Sequence, residues 1–236
     1  HGFDEVNFDY IRFPSDGNLK NMGFPIWDGI TFPADIIKEF FVYTRKQLSG
    51  NRISADLFGQ TTTDTGDMGI GQLLENAFEN FDYISPMIYP SHYANGFMGF
   101  ANPAEHPYEI IKHSLDIALG RENSFLQREK NLMAKNGKLT ENSKAGLVEP
   151  STHIADNQNL VPTPATAVGA SRILDGKTIG TKFRPWLQDF DMKADYTADM
   201  IKAEIKATQD ALGDNYAGYM LWNPSNIYTQ EALLKP

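Results

Sequence analysis

The chain has 236 residues and a formal net charge of −9 at pH 7, and its composition is 41% hydrophobic and 12% aromatic. This composition is typical of a globular protein with a substantial core, whereas the acidic balance argues against a nucleic-acid-binding surface, which needs clustered Lys and Arg. The absence of cysteine excludes disulfides, thiolate metal sites and a cysteine nucleophile. No apolar run approaches the ~20 residues that a membrane span requires.

The first residues carry the clearest pattern in the chain. Apolar and polar side chains alternate over residues 4–13, which predicts a strand. Its apolar face is rich in aromatic side chains, and its polar face carries Glu5, Asn7 and Asp9. A polar strand face that ends in a carboxylate is typical of barrel enzymes, whose chemistry lies at the C-terminal ends of the strands.

Strands and helices alternate along the rest of the chain. Further strands are predicted over residues 52–58, 81–89, 183–190 and 217–223. Helices are predicted over residues 33–48, 70–79, 102–119 and 197–212, with a short one from residue 229. The first helix should bury one face that consists of Ile37, Phe40, Phe41, Thr44 and Leu48. This alternation is typical of repeated βα units around a parallel sheet.

Two α/β architectures accommodate five such units. A doubly wound sheet is one, but the polar strand ends favour a TIM (β/α)8 barrel. Because the chain already begins beside a strand pattern, we expect it to hold about the C-terminal five βα units of such a barrel. On this interpretation residues 1–236 form a single catalytic domain whose N-terminal strands are missing.

Residues 121–180 differ in composition from the remainder of the chain. They contain a single aromatic residue, Phe125, and are rich in Asn, Lys, Ser, Thr and Ala. Such a segment cannot bury enough apolar area for a core of its own. We expect a polar surface insertion that is helical near residues 125–135; a substrate-capping loop is the alternative.

Each predicted strand ends in polar or aromatic side chains. The candidate residues at these ends are Glu5, Asn7, Asp9 and Arg12, then Asp56, then Tyr89 and His92, then Arg184, Trp186, Gln188 and Asp189, and finally Trp222 and Asn223. This set is typical of sugar recognition, because aromatic faces pack against the C–H face of a pyranose while amides and Arg bind its hydroxyls. Two positioned carboxyl groups suffice to hydrolyse a glycosidic bond. We therefore expect Asp9 and Asp56 to be catalytic and the others to bind a carbohydrate substrate.

This chemistry needs no cofactor, and the sequence suggests none. The histidines show no convincing metal-ligand spacing, so we expect no metal site. Neither a Gly-x-Gly-x-x-Gly sequence nor a Walker loop occurs, so nucleotide chemistry has no support. The sequence does not decide the oligomeric state or the localisation, although a secreted or cell-envelope protein would fit a glycan substrate.

Several candidates also have a purely structural interpretation. Asp9 could pair with Arg12, although an extended strand would place the two on opposite faces. Asp56 could be a buried, hydrogen-bonded carboxylate that orients the site, and Asp189 could cap the loop that follows it. The tryptophans could be core aromatics, and His92 could be a loop residue.

Four segments together resemble one known family. Residues 2–14 (GFDEVNFDYIRFP) strongly resemble a segment of a family of glycoside hydrolases with barrel domains, and residues 85–93 (SPMIYPSHY), 184–190 (RPWLQDF) and 218–223 (GYMLWN) resemble its later strands. The resemblance covers most of the chain outside residues 121–180. It implies a (β/α)8 barrel that acts on a glycan.

Chitinase-type barrels are more distantly similar. Their Asp-x-Asp-x-Glu strand would fall on Glu5, Asn7 and Asp9, which implies that Asp9 is the general acid. Their Met-x-Tyr-Asp strand would fall on Met87–Pro90, with Pro90 in place of the final Asp. Since Asn7 replaces the Asp that orients an N-acetyl group, the likeness does not extend to substrate-assisted hydrolysis.

Three functions follow as hypotheses. The first is a glycoside hydrolase that cleaves a poly- or oligosaccharide by carboxylate acid/base or nucleophilic catalysis. The second is a non-catalytic glycan-binding barrel domain of a cell-envelope protein, which would lack a second carboxyl group in the pocket. The third is a purely structural cell-envelope domain without glycan affinity.

Overall fold

The computed structural model of the chain describes residues 2–144, 173–174, 177–178 and 180–233. The strands are β1 Glu5–Phe8, β2 Arg52–Phe58, β3 Tyr83–Met87, β4 Ile173–Leu174, β5 Lys177–Thr178, β6 Lys182–Phe183, β7 Trp186–Gln188 and β8 Met220–Trp222. The α-helices are α1 Pro33–Gln47, α2 Leu74–Phe78, α3 Pro107–Lys144, α4 Ala198–Leu212 and α5 Gln230–Leu233. Within these described residues, no helix is both long enough and apolar enough to cross a membrane.

The main sheet is a curled, parallel half-barrel. Strands β1, β2, β3, β7 and β8 lie side by side in that order, β6 also pairs with β3, and every pairing in this sheet is parallel. The predicted α/β class with a parallel sheet is therefore confirmed. Strands β4 and β5 form a separate antiparallel pair.

The hydrophobic core lies between this sheet and the helices. Ile53, Leu57 and Ile84 belong to β2 and β3 and pack, fully buried, in one cluster with Phe41 of α1 and Leu115 of α3. Residues that alternate with the apolar ones on β1 and β2 carry polar side chains instead, which bond to one another. The pleat of parallel strands thus separates an apolar outer face from a polar inner face.

Proline explains two differences between the predicted and observed elements. The strand predicted over residues 183–190 is split into β6 and β7 around Pro185, which has no N–H to give to a sheet. The helix predicted from residue 102 begins at Pro107, because Pro107 fits a first helical turn but not a helix interior. Asn102 accepts a hydrogen bond from the Ala104 N–H and so caps only a single 3₁₀ turn, Pro103–Glu105.

The same helix also extends further than predicted. Instead of ending near residue 119, α3 continues to Lys144; the helix predicted near residues 125–135 is confirmed, but it is continuous with the preceding helix. Phe125 packs against Phe78 with a ring separation of 5.5 Å, and Arg121 forms an ion pair of 2.6 Å with Glu75. These contacts attach the helix to the barrel well past its predicted end. Residues 145–172 of the segment lie outside the described residues.

Two helices match the predicted faces and ends closely, with small corrections. Helix α1 buries Ile37, Phe41 and Thr44, but Phe40 is 41% exposed because it lies about 100° from Phe41 on the helix surface, at the margin of the buried stripe. Helix α4 ends at Leu212, as predicted; its N-cap is Thr197, whose side chain accepts from the Met200 N–H, and its C-cap is Gly213.

Candidate active site

A pocket of about 330 Å³ opens at the C-terminal ends of the sheet strands. Its lining residues are Asp9, Tyr10, Arg12, Asp56, Phe58, Gly59, Gln60, Gln72, Met87, Tyr89, His92, Tyr93, Trp186 and Trp222. Strands β1, β2, β3, β7 and β8 or the residues directly after them all contribute. The volume lies within the range of small-molecule sites.

A sharp turn at Tyr10 brings the ends of the first segment into this pocket. Strand β1 stops at Phe8, and Tyr10 adopts φ +58°, a left-handed conformation that is unusual for a bulky residue. The turn is held by the Tyr10 N–H, which donates to Asp9 Oδ1 over 2.6 Å, and by the Arg12 N–H, which donates to the Tyr10 carbonyl over 3.0 Å. Asp9 and Arg12 therefore line the same pocket, whereas a continued strand would have separated them. Strain of this kind often accompanies functional sites.

Asp56 is the most constrained carboxylate in the pocket. It is 4% exposed, and each of its oxygens accepts one hydrogen bond, from Trp186 Nε1 to Oδ1 over 2.9 Å and from Asn7 Nδ2 to Oδ2 over 2.8 Å. Burial raises the pKa of Asp56 to about 6; the two hydrogen bonds oppose this rise, and the negative charge of Asp9 adds to it. The residue therefore changes its charge close to neutral pH.

A polar network covers the inner face of the half-barrel beneath Asp56. The Ser54 hydroxyl lies 2.6 Å from Glu5 Oε1 and 2.6 Å from Asn7 Oδ1. Glu5 forms an ion pair with Arg184, whose guanidinium carbon lies 4.4 Å from the centre of the Tyr83 ring. Glu5, Asn7 and Arg184 thus lie below the pocket, where Asn7 positions Asp56.

Aromatic side chains form the opposite wall. The rings of Trp186 and Trp222 meet edge to face at 6.2 Å, and Trp222 is 44% exposed. Tyr89 packs against His92 at 5.3 Å and against Phe190 at 5.7 Å. An exposed tryptophan beside a pocket offers a flat apolar surface to a ligand.

The protonation states of this wall follow from its burial. Burial, and then the charges of Asp56 and Asp9, keep the pKa of Tyr89 above its ordinary value, so its hydroxyl remains a donor. Desolvation and then the charge of Lys193 lower the pKa of His92 below its ordinary value.

Three further predicted residues also support the pocket without lining it. The Gln188 side-chain oxygen accepts from the Ser91 hydroxyl over 2.8 Å, which joins the loops after β3 and β7. Asp189 accepts from the backbone N–H and the hydroxyl of Thr229 over 2.9 and 2.7 Å, and the Asn223 amide donates to the Asp189 carbonyl. These bonds fix the loops that follow β7 and β8.

Other lining residues were not among the predicted site residues. Gln60 follows directly after β2 and could have been found by extending the search past the strand end. Gln72 lies in the loop before α2, and no pattern in the sequence marked it as a site residue. Its amide joins two strand ends, because it accepts from the Phe58 N–H over 2.9 Å and donates to the Ile11 carbonyl over 3.0 Å.

The described residues contain no group of three or more His, Cys, Asp or Glu side chains that could hold a metal ion. The pocket lining offers two carboxyl groups, tyrosine hydroxyls, an imidazole, a guanidinium and aromatic faces. Carboxyl pairs of this kind serve as acid and base, or as acid and nucleophile.

One of three comparisons with known proteins found a match. Searches of the curated proteins and of the solved structures gave no match. A family model described as "Putative glycosyl hydrolase domain" matches residues 1–131 and 157–228, which confirms the resemblance predicted from the sequence. Because this match covers well over half of its length, the chain belongs to that glycosyl hydrolase domain family.

Proposed function

We propose that the protein is a glycoside hydrolase that cleaves a poly- or oligosaccharide in the pocket at the strand ends. The observation that carries the proposal is the meeting of Asp9 and Asp56 in one pocket with Trp186 and Trp222. Carboxylates can perform the hydrolysis, and tryptophan rings can hold the sugar.

The two carboxyl groups have different surroundings, which suggests different roles. Asp9 lines the pocket; its Oδ1 accepts the Tyr10 N–H, while its Oδ2 has no hydrogen-bond donor among the described residues. In the proposed reaction Asp9 donates a proton to the glycosidic oxygen as the bond from that oxygen to the anomeric carbon breaks. Asp56, ionised and held by two N–H donors, stabilises the positive charge that develops on the sugar. Water then supplies a hydroxyl group to the anomeric carbon and returns a proton to Asp9.

The test is turnover of a glycan panel by the full-length protein and by Asp9→Asn. Loss of a general acid costs about 100- to 10,000-fold in rate, so we expect kcat to fall in that range while glycan binding persists. Asp4→Asn is the matched control, since Asp4 is an exposed carboxyl in the same segment that does not line the pocket. Equal turnover in Asp9→Asn and Asp4→Asn would overturn the proposal.

A non-catalytic glycan-binding domain is the second candidate. It is favoured by one observation: both Asp56 oxygens already accept hydrogen bonds from the protein, as expected for a structural carboxylate. This candidate predicts glycan binding by the natural protein and by Asp9→Asn, with no turnover by either.

We also propose that the half-barrel is part of a complete (β/α)8 barrel. In the described residues, β1 and β8 each pair with one neighbouring strand, so both edges of the curled sheet are open. Further parallel strands between these edges would close the barrel and complete the wall of the pocket.

A further inference from the structure

Arg12 lines the pocket and has one guanidinium edge that is not used within the described residues. Its Nη1 donates to the Phe13 carbonyl over 3.2 Å and to the Ser15 hydroxyl over 3.1 Å. Among the residues that the structure describes, Nε and Nη2 have no partner, and no carboxylate lies within 4 Å of the guanidinium. The buried polar atoms without a partner in that same part of the chain belong to Ser85, Glu122 and Arg184, so the free edge of Arg12 is open to solvent.

The guanidinium is held in place by two aromatic rings. Its central carbon lies 4.3 Å from the centre of the Tyr10 ring and 5.0 Å from that of Phe58. These cation–π contacts and the two Nη1 hydrogen bonds restrict the side chain before any ligand arrives. Less conformational entropy is therefore lost when a ligand binds.

The free edge has the geometry of an oxyanion receptor. Nε–H and one Nη2–H point in the same direction in the plane of the guanidinium, and this pair matches two oxygens of a carboxylate or a sulfate. No lysine and no second arginine line the pocket in the described part of the chain, and the partner of His92 in the wall is Tyr89. Arg12 is thus the cation that a substrate meets there.

We propose that the pocket selects an acidic glycan, and that Arg12 binds a carboxylate or sulfate group on the sugar through its Nε and Nη2 edge. This inference rests on the proposed function, since it names the substrate class of the same site. The negative charge of the whole chain opposes an acidic ligand at long range, but salt screens charges beyond about 8 Å at physiological ionic strength. Contact with Arg12 is direct and charge-assisted.

The experiment measures binding, so that it does not depend on turnover. The full-length Asp9→Asn protein is titrated with uronic-acid oligosaccharides and with the same oligosaccharides after reduction of their carboxyl groups to alcohols. Sulfated oligosaccharides and their desulfated forms make the second pair and separate the two sources of charge. The readout is the ratio of affinities within each pair.

We expect the acidic member of one pair to bind about 10- to 100-fold more tightly, as charge-assisted bidentate contacts allow. Adding Arg12→Gln should bring this ratio close to one. Arg12→Lys should retain part of the preference, because it keeps the positive charge but loses the paired Nε–H and Nη2–H donors. Arg52→Gln is the matched control, since Arg52 is exposed at the opposite end of β2 and should leave the ratio unchanged.

Other outcomes overturn the inference. If Arg12 merely holds the loop through Phe13 and Ser15, Arg12→Gln weakens both members of a pair equally and leaves the ratio unchanged. Tighter binding of the neutral members would contradict the acidic class while leaving the glycan-processing function intact. Binding of no member of either pair would contradict the inference and the proposed function together. Should Arg12→Gln fail to fold, Arg12→Lys tests the inference instead. The affinity ratio should then fall below that of the protein with Arg12 but stay above one, and an unchanged ratio would overturn the inference.

Discussion

Asp56 accepts one hydrogen bond on each oxygen, and both donors favour its ionised form. Burial opposes them and raises its pKa to about 6. If ionised Asp56 stabilises the reacting sugar, kcat/KM should fall as the pH drops below about 6. The pH–rate profile of the natural protein measures this limb directly.

Trp186→Phe should shift the acidic limb of the pH–rate profile in a known direction. The substitution retains an aromatic ring but removes the Nε1 donor that lowers the pKa of Asp56, so the acidic limb should move to higher pH. If the acidic limb of the pH–rate profile does not move, a group other than Asp56 is responsible for it. Activity that instead increases below pH 6 would make Asp56 the proton donor rather than the charge stabiliser.

The first segment of the chain shows which side-chain positions a sequence pattern can predict and which it cannot. The alternation of residues 4–13 correctly indicated that Glu5, Asn7 and Asp9 share the polar face, but an extended strand would have placed Arg12 on the other face. The left-handed turn at Tyr10 removes that separation. Nothing in a tyrosine suggests φ > 0, because only tertiary contacts can impose it on such a side chain.

At the scale of elements, the ends of β2 and β3 approach each other at Gly59. A Cβ atom on Gly59 would lie 2.3 Å from the Met87 carbonyl oxygen, a backbone atom that cannot move aside as a side chain can. Gly59→Ala should therefore destabilise the protein by about 1–3 kcal/mol, as overpacking does, and should distort the pocket that Gly59 lines.

Urea unfolding measures the stability effect. The matched control is Gly50→Ala, because a Cβ on Gly50 meets nothing within 4 Å and its φ is not positive. Equal stability of the two variants would contradict the close approach of the strand ends.

Helix α3 carries a buried carboxyl group that should make stability depend on pH. Glu122 is 4% exposed, Gly180 packs directly against it, and burial raises its pKa to about 7. Since the folded-state pKa lies above the unfolded value near 4.5, its contribution to stability is complete below pH ~4.5 and is lost as the pH rises through about 7.

Glu122→Gln should remove this part of the pH dependence. The free energy of unfolding, measured at pH 4.5 and pH 8, should decrease less in this variant than in the natural protein. Glu39→Gln is the control, because Glu39 is an exposed carboxyl on α1. A variant with the natural pH dependence would contradict the burial of Glu122.

Element positions were largely predictable, and the errors have local causes. Strand β2 has the predicted bounds because its apolar residues are bracketed by polar and glycine-containing segments. Helix α3 is longer than predicted. Its second half is polar, and apolar periodicity is the main sequence signal for a helix. Its attachment depends on single residues such as Arg121, which reaches the Thr61 carbonyl over 2.6 Å, and such contacts have no sequence pattern.

At the scale of the whole molecule, the two open edges of the half-barrel predict a tendency to associate. Strand β1 has one neighbour, and Val6 on this edge strand is 39% exposed. Unpaired edge strands are sites of intermolecular pairing, and lysine is a natural protection against it. We expect the 236-residue chain to associate with increasing concentration, and Val6→Lys to reduce this in sedimentation experiments.

Tyr43→Lys is the matched control for that prediction. Tyr43 is 60% exposed on helix α1, away from the sheet edge, so its replacement should change association little. An equal effect of both substitutions would attribute association to general surface hydrophobicity instead of the open edge.

The central claim is that the Asp9 carboxyl group reaches the bond to be broken in a glycan. The most direct measurement is a crystal structure of full-length Asp9→Asn with an intact oligosaccharide. We expect a sugar ring against Trp222 and the residue 9 side chain about 2.6–3.2 Å from a glycosidic oxygen. A glycan bound outside the pocket, or residue 9 turned away from every glycosidic oxygen, would contradict it.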